Sequence, residues 1–532
     1  MTLGLAERQG ELLDDLTQFC DEALAPDSIY SFLHRERDHL FPDELFCDLF
    51  TDRGRRSVPP SVVASVMVLQ RLEGCSDREA TERYTFDARW RYAAGVGGYD
   101  TGGRVSFVHT VLVDMRERLR RSDRPDRVFE VTLAAARSAG LVGRRRVLDS
   151  TALYDAVATM DTVTLVRSAI RGLLAVADET ARADLKAVLR REDDYATPGK
   201  PACDWDDPSA REELVDALAR DAMACLGLLQ GRVLSAEVAQ AAELLAAVTG
   251  QDLDKGDDEK FRIARRVAPD RIISTVDREA RHGHKTSARG FDGYKAHVAI
   301  DPDSEIITAT AVTPANTGDA QAATTLLAEC LSQPPPEGDD DTAPVVVYGD
   351  SAYGTGELLE RLDAARAVPM VKVQAPVAPA GHFSKDRFAI DLAAQTVTCP
   401  AGVTAALRAR KGGGGEARFG AACATCPLAS SCTSSPKGRV VNVGPHEALL
   451  AEGRARQRDP AWAADYRATR PRVERKISHL VRRRHGGRRA RVRGRRRAAQ
   501  DFSLLGAAVN LARLAVLKAS SRSGVDWALV AT

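Results

Sequence analysis

No run of apolar residues in this 532-residue chain approaches the ~20 that a helix needs to cross a bilayer, so a membrane partner is not expected. The opening stretch, MTLGLAERQGELLDDL, has neither a basic leader nor a long apolar run, so a secretory signal is not expected either. Cysteine is present but not arranged as a disulfide framework. Six of the ten, Cys20, Cys47, Cys75, Cys203, Cys225 and Cys330, are scattered through mostly apolar or helical contexts and read as buried reduced thiols. The cytoplasm is the expected compartment. Acid is scarce in one place: Arg467 to Arg497 holds 15 Lys or Arg and a single carboxylate, Glu474.

What is present describes a globular chain, 44% hydrophobic and 28% charged. There is room for about three or four domains. The formal net charge of +1 hides a split, because outside the basic stretch 60 basic residues face 73 acidic ones. An acidic body with a strongly basic segment near its C-terminus points to local contact with nucleic acid. A lone carboxylate there is either a salt-bridge partner on a solvated helix or a metal ligand beside a polyanion.

Residues 1–135 are expected to form a helical, DNA-binding domain. Pro59-Pro60 opens an apolar helix that Gly74 can stop, and Ser76-Asp77-Arg78-Glu79 has the form of a capping box opening a second. Two such helices around a turn fit a helix-turn-helix or any helical hairpin. An α/β domain with a mixed sheet is expected over 140–372 and 455–520. Its strands are RRRVLDSTAL, IISTVD, GYKAHVAID, EIITATAVTP, PVVVYGDSAYG and VPMVKVQAPV, and residues 155–260 form a helical insertion within it. A loop is expected at Pro334–Pro336 and Asp339–Asp341, and 375–450 reads as irregular. The last helical segment, broken at His485-Gly486-Gly487, closes on the apolar run FSLLGAAVNLARLAVL, which must dock on the body.

Asp149 and Asp350 end apolar strand patterns, the edge at which open α/β sheets form their sites. Either could equally cap a turn. Gly349 permits close approach beside Asp350. Glu474 shares a helical face with Arg470, and Tyr466 lies one turn before that. Val473 and Ile477 turn this face partly inward. Two Asp and one Glu can hold two divalent metals ~3.5–4 Å apart and drive an in-line phosphoryl displacement.

In these residues the chain resembles the DDE transposases of bacterial insertion sequences. Asp149 in VLDST, Asp350 in VVVYGDSAYG, and Tyr466, Arg470 and Glu474 in YRATRPRVERKISHL match the three family signatures. The Tyr-to-Arg spacing is one residue longer than usual, and the family's Lys position holds Val481, with Arg482 next. Asp277, the Gly293–His297 segment and Asn316–Asp319 also resemble the family's core strands. The resemblance implies a ribonuclease-H-like catalytic core, with Asp149, Asp350 and Glu474 catalytic and binding Mg²⁺ or Mn²⁺. It implies double-stranded DNA, as terminal inverted repeats and target, and at least a dimer, because two ends must be synapsed; the cytoplasmic protein would be nucleoid-associated. Tyr466, Arg470, Lys476, Arg482, Arg483 and Arg484 are the expected DNA contacts.

Cys399, Cys423, Cys426 and Cys432 cluster in a glycine-rich stretch with little core of its own, and a tetrahedral structural Zn²⁺ would staple it. His282 and His284 fall in an expected polar loop, and His297 reads as a core histidine. RRRHGGRRARVRGRRR lacks apolar periodicity and reads as a disordered arm that orders on DNA. Two other readings stay open: an inactive DNA-binding derivative, and a metal nuclease without strand transfer.

Overall fold

Helices come first. The computed structural model describes residues 15–97, 106–156, 159–193, 195–286, 289–332, 343–378, 381–521 and 526–529. The opening residues 1–14 and the expected loop at 334–341 lie outside these. α1 (Asp15–Ala23), α2 (Ile29–Leu40), α3 (Pro60–Glu73), α4 (Asp77–Phe86), α5 (Ala88–Ala93), α6 (Thr110–Arg121) and α7 (Arg127–Ser138) precede the first strand among the described residues. Both sequence signals hold: Gly74 ends α3 in the left-handed conformation at φ 68°, and Ser76 with Glu79 forms the capping box of α4. Every residue of α3 except Glu73 is buried, so α3 is a core helix.

A mixed six-stranded sheet follows, built from β1 (Arg145–Tyr154), β4 (Arg281–Thr286), β5 (Arg289–Ile300), β6 (Ile307–Pro314), β7 (Val346–Gly349) and β8 (Val368–Val371). One side of β5 pairs antiparallel with β1, and the other with β4 and β6. β7 lies parallel to β1, and β8 parallel to β7. α12 (Asp319–Leu326), α13 (Ala328–Ser332) and α14 (Gly356–Ala364) come between and after these strands. Leu148, Ala299 and Val347 share a core with α12 and α14 on one face. Val147, Val298 and Ile300 face a core that also contains α3, α7 and the C-terminal helices. The fold is therefore a mixed α/β body with an N-terminal helical region, and the two share one continuous core.

Two insertions carry cores of their own. α8 (Thr162–Val176), α9 (Glu179–Val188), α10 (Pro208–Leu229) and α11 (Ala236–Asp252) form the first. It ends in a short hairpin, β2 (Leu253–Lys255) and β3 (Phe261–Ile263), where helix was expected. IISTVD is not a strand, since only Ile272 makes a single bridge, to Arg281. The strand is β4, so His282 and His284 are on a strand, not in a loop. The second insertion corrects the irregular reading of 375–450. β9 (Ala389–Asp391), β10 (Thr396–Thr398), β11 (Thr404–Ala409), β12 (Gly415–Arg418) and β13 (Val440–Val443) form a five-stranded antiparallel meander, with α15 (Ala429–Cys432) before its last strand.

α16 (Glu447–Arg456), α17 (Pro460–Thr469), α18 (Pro471–Leu480) and α19 (Arg495–Val516) complete the body, followed by the hairpin β14 (Ala519–Ser521) and β15 (Trp527–Leu529). α19 is the apolar closing helix, buried from Phe502 through Leu511. Asn510 within it exchanges two 2.8 Å hydrogen bonds with the backbone of Ile307. The basic link between α18 and α19 is not a free arm. Tyr154 N–H donates to the Arg488 carbonyl at 3.0 Å, and Ala490 N–H to the Tyr154 carbonyl at 2.8 Å. On its other side Arg71, itself buried, donates to the His485 carbonyl at 2.9 Å. The link straps the N-terminal helices to β1.

Candidate active site

Asp149 lies in the middle of β1, not at its end, because the ladder with β5 continues to Tyr154. The parallel ladder with β7 stops at Val147, opposite Tyr348, and β7 ends one residue later at Gly349. Asp149 and Asp350 therefore stand together at the C-terminal edge of the parallel pair. Gly349 is needed for packing: a Cβ there would lie 2.9 Å from the Tyr353 side chain. α17 runs almost directly into α18 through Arg470, which is itself helical at φ −57° and ψ −38°. This places Glu474 in the first turn of a helix packed on β1.

Arg470 joins the three acids. Its Nη2 lies 3.1 Å from Asp149 Oδ1 and 3.9 Å from Asp350 Oδ2, and its Nη1 lies 3.4 Å from Glu474 Oε1. Side-chain exposure rises from 7% at Arg470 through 15% at Asp149 and 45% at Asp350 to 63% at Glu474, so the group forms a cleft with a buried floor and an open rim. Burial raises the Asp149 pKa, against the lowering by Arg470 and by the Ser150 N–H, which donates to Asp149 Oδ1 at 2.8 Å. Arg470 Nε and Nη1 are buried without a hydrogen bond among the described residues. A guanidinium so placed is under-satisfied, as functional sites often are.

Three carboxylates with no nitrogen or sulfur donor among them suit a hard divalent cation. As they stand, among the described residues no three His, Cys, Asp or Glu side chains are grouped to hold an ion. The acids instead share the guanidinium.

The expected DNA contacts divide. Arg482, Arg483 and Arg484 are exposed on the strap. Tyr466 and Lys476 are buried, where surface contacts were expected. Tyr466 is buried; its hydroxyl donates to the Gly349 carbonyl at 3.1 Å, and its ring stacks on Trp462. It therefore braces the residue before Asp350. Lys476 is buried near Glu305 at 3.8 Å, and burial lowers its pKa to about 8. Arg470 faces the acids from beneath.

Cys399, Cys423, Cys426 and Cys432 line one small apolar pocket in the meander, together with Phe383, Phe419 and Arg439. His297 is buried, with Nε2 2.8 Å from Thr313 Oγ1, but its Nδ1 has no partner among the described residues. The sequence reading thus found half of its environment. It assigned no role to Ser150, Lys295, Asp319 or Tyr353, which form a second polar group behind Asp149. The signal was there: Lys295 and His297 recur at alternate positions of the otherwise apolar run from Tyr294 to Ile300.

Comparison with known proteins gives two family matches. Residues 398–515 match a family described as a transposase DDE domain. Residues 19–118 match one described as a transposase domain. The first spans the cysteine pocket, Arg470 and Glu474, and the second spans α1 to α6. No curated protein and no solved structure matches the chain.

Proposed function

We propose, from its two family matches, that this chain is a DDE-type transposase of the insertion-sequence kind that cleaves DNA strands at the ends of such an element and joins them to target DNA. The observation that carries this reading is the convergence of Asp149, Asp350 and Glu474 on Arg470. The strand order β6-β5-β1-β7-β8, antiparallel as far as β1 and parallel after it, supports a ribonuclease-H-like core.

Cleavage forms one P–O bond as it breaks another. A water oxygen attacks the phosphorus, the bond to the 3′ oxygen breaks, and a 3′-hydroxyl is released. Transfer repeats the exchange with that hydroxyl as nucleophile on the target strand. Asp149, Asp350 and Glu474 would hold a Mg²⁺ or Mn²⁺ ion, two from a rigid sheet edge and one from a helix, and the ion would supply activation of the nucleophile and neutralisation of charge on the leaving oxygen. Arg470 offsets the mutual repulsion of the three acids. Arg482, Arg483 and Arg484 neutralise backbone phosphate on double-stranded DNA, and synapsis of two ends makes the working form at least a dimer. In the meander, Cys399, Cys423, Cys426 and Cys432 would hold a structural Zn²⁺ once drawn together, a reading that rests on their lining one pocket.

The test is a Mn²⁺-dependent assay on DNA carrying the element's ends. Asp149→Ala, Asp350→Ala and Glu474→Ala should each lose cleavage and joining while still binding the DNA. Full activity in any one of them sinks the assignment. Cleavage without joined product would make the protein a nuclease.

A further inference from the structure

A second polar cluster lies behind Asp149, and the proposed reaction leaves it unused. Strand alternation turns Ser150 to the face opposite Asp149. There Ser150 Oγ donates to Asp319 Oδ2 at 2.7 Å. Lys295 Nζ donates to Asp319 Oδ1 at 2.9 Å and to the Thr317 carbonyl at 2.8 Å. Asp319 and Lys295 are 13% and 15% exposed, so this is a largely buried ion pair. Beside it are two buried polar atoms without a hydrogen-bond partner among the described residues, Tyr353 Oη and His297 Nδ1. His297 stands opposite Ser150 in the register of β1 and β5. Tyr353 is kept a neutral donor by burial and then by the carboxylates of Asp319, Asp149 and Asp350.

Stability alone does not account for this cluster. A buried ion pair is often no better than apolar residues of the same volume, and each unpaired buried polar atom carries an uncompensated desolvation cost. Behind a catalytic acid, such groups have a use. The Ser150 N–H is a direct donor to Asp149 Oδ1. Fixing the Ser150 side chain to Asp319, and Asp319 to Lys295, fixes the peptide that aims this donor. Partners of this kind, one bond removed from a ligand, set its orientation and basicity.

We propose that Asp319 and Lys295 are positioning residues for Asp149, acting through Ser150. The proposal rests on the catalytic role given to Asp149 above. It extends the site across β1 to the face of the sheet covered by α12.

The test uses the full chain with Mn²⁺ as probe, read two ways: ion binding by electron paramagnetic resonance without DNA, and the Mn²⁺ concentration that half-saturates end cleavage. Ser150→Ala and the charge-neutral pair Lys295→Met with Asp319→Asn should weaken both by ~10–100-fold, with DNA binding unchanged. Ser150→Thr keeps the hydroxyl and should restore both. If the pair variant does not fold, the Ser150 series decides. Unaltered Mn²⁺ binding in Ser150→Ala, or equal loss in Ser150→Thr, overturns the proposal. So does a wild-type chain that binds no Mn²⁺, or an Asp149→Asn chain that binds it normally. A wild type that binds Mn²⁺ but cleaves nothing would remove the transposase chemistry alone, and binding in the Ser150 series would still decide the positioning role.

Discussion

Two buried arginines show how differently one side chain can be used. Arg167, in the helical insertion, meets Asp193 through two hydrogen bonds of 2.6 Å and donates to the carbonyls of Thr197 and Gly199. Arg470 makes only longer contacts to three acids and leaves Nε and Nη1 without hydrogen bonds among the described residues. The first is a structural knot, whereas the second is the hub of the candidate site. Hydrogen bonding from Arg167 lowers the Asp193 pKa against the effect of burial. A carboxylate lowered in the folded state stabilises fully above its ordinary pKa, and that contribution disappears as pH falls through the lowered value. With side chains only 6% and 9% exposed, the pair is screened little by solvent. Asp193→Asn should therefore cost about 3–5 kcal/mol at pH 7, because it strands a buried guanidinium. Denaturant melts at several pH values would show the gap to wild type narrowing in acid. A gap that does not change with pH would assign the loss to shape and not to charge.

At the scale of elements, legibility in the sequence followed apolar pattern. β1, β7 and α19 were readable because apolar runs and end signals such as Gly349 and the closing FSLLGAAVNL mark them. The meander was not, since its short strands are fixed by neighbours and not by a continuous apolar run of their own. β4 was hidden for the same reason: RHGHKT is polar, and pairing with the start of β5 makes it a strand. The end of the β1 apolar run suggested a strand end at Asp149, yet β5 carries the ladder five residues further, to Tyr154. The carboxylate set itself was legible because chemistry, unlike register, is written in residue type. In the meander the small core of Phe388, Val397, Leu407, Phe419 and Val441 surrounds the cysteine pocket. A core this small is commonly stapled by metal. Metal analysis should find one Zn²⁺ per chain, lost in Cys423→Ser with Cys426→Ser, with the meander becoming protease-sensitive. A zinc-free chain whose meander resists protease equally in both forms would rule the site out.

The whole molecule joins its two charge classes at the strap. The basic link lies between the turn after α3 and the exposed end of β1, so close that a Cβ on Gly74 would stand 2.4 Å from the Arg484 carbonyl. This arrangement puts a run of cations between the N-terminal helices and the far end of β1, while the rest of the chain is net acidic. A duplex held there would be drawn to the strap and repelled elsewhere, so its register on the cleft would follow from charge alone. Arg482, Arg483 and Arg484 contribute their side chains to solvent, whereas the backbone of the link carries the packing against Tyr154 and Arg71. Replacing all three with Ala should leave the melting temperature near wild type and weaken DNA binding. The dependence of log K on log salt should flatten by about 0.9 for each phosphate contact removed. Filter binding across a salt series measures this slope directly. An unchanged slope would mean that the strap holds the domains together without touching DNA, and the duplex would then have to reach the acid cleft along another face.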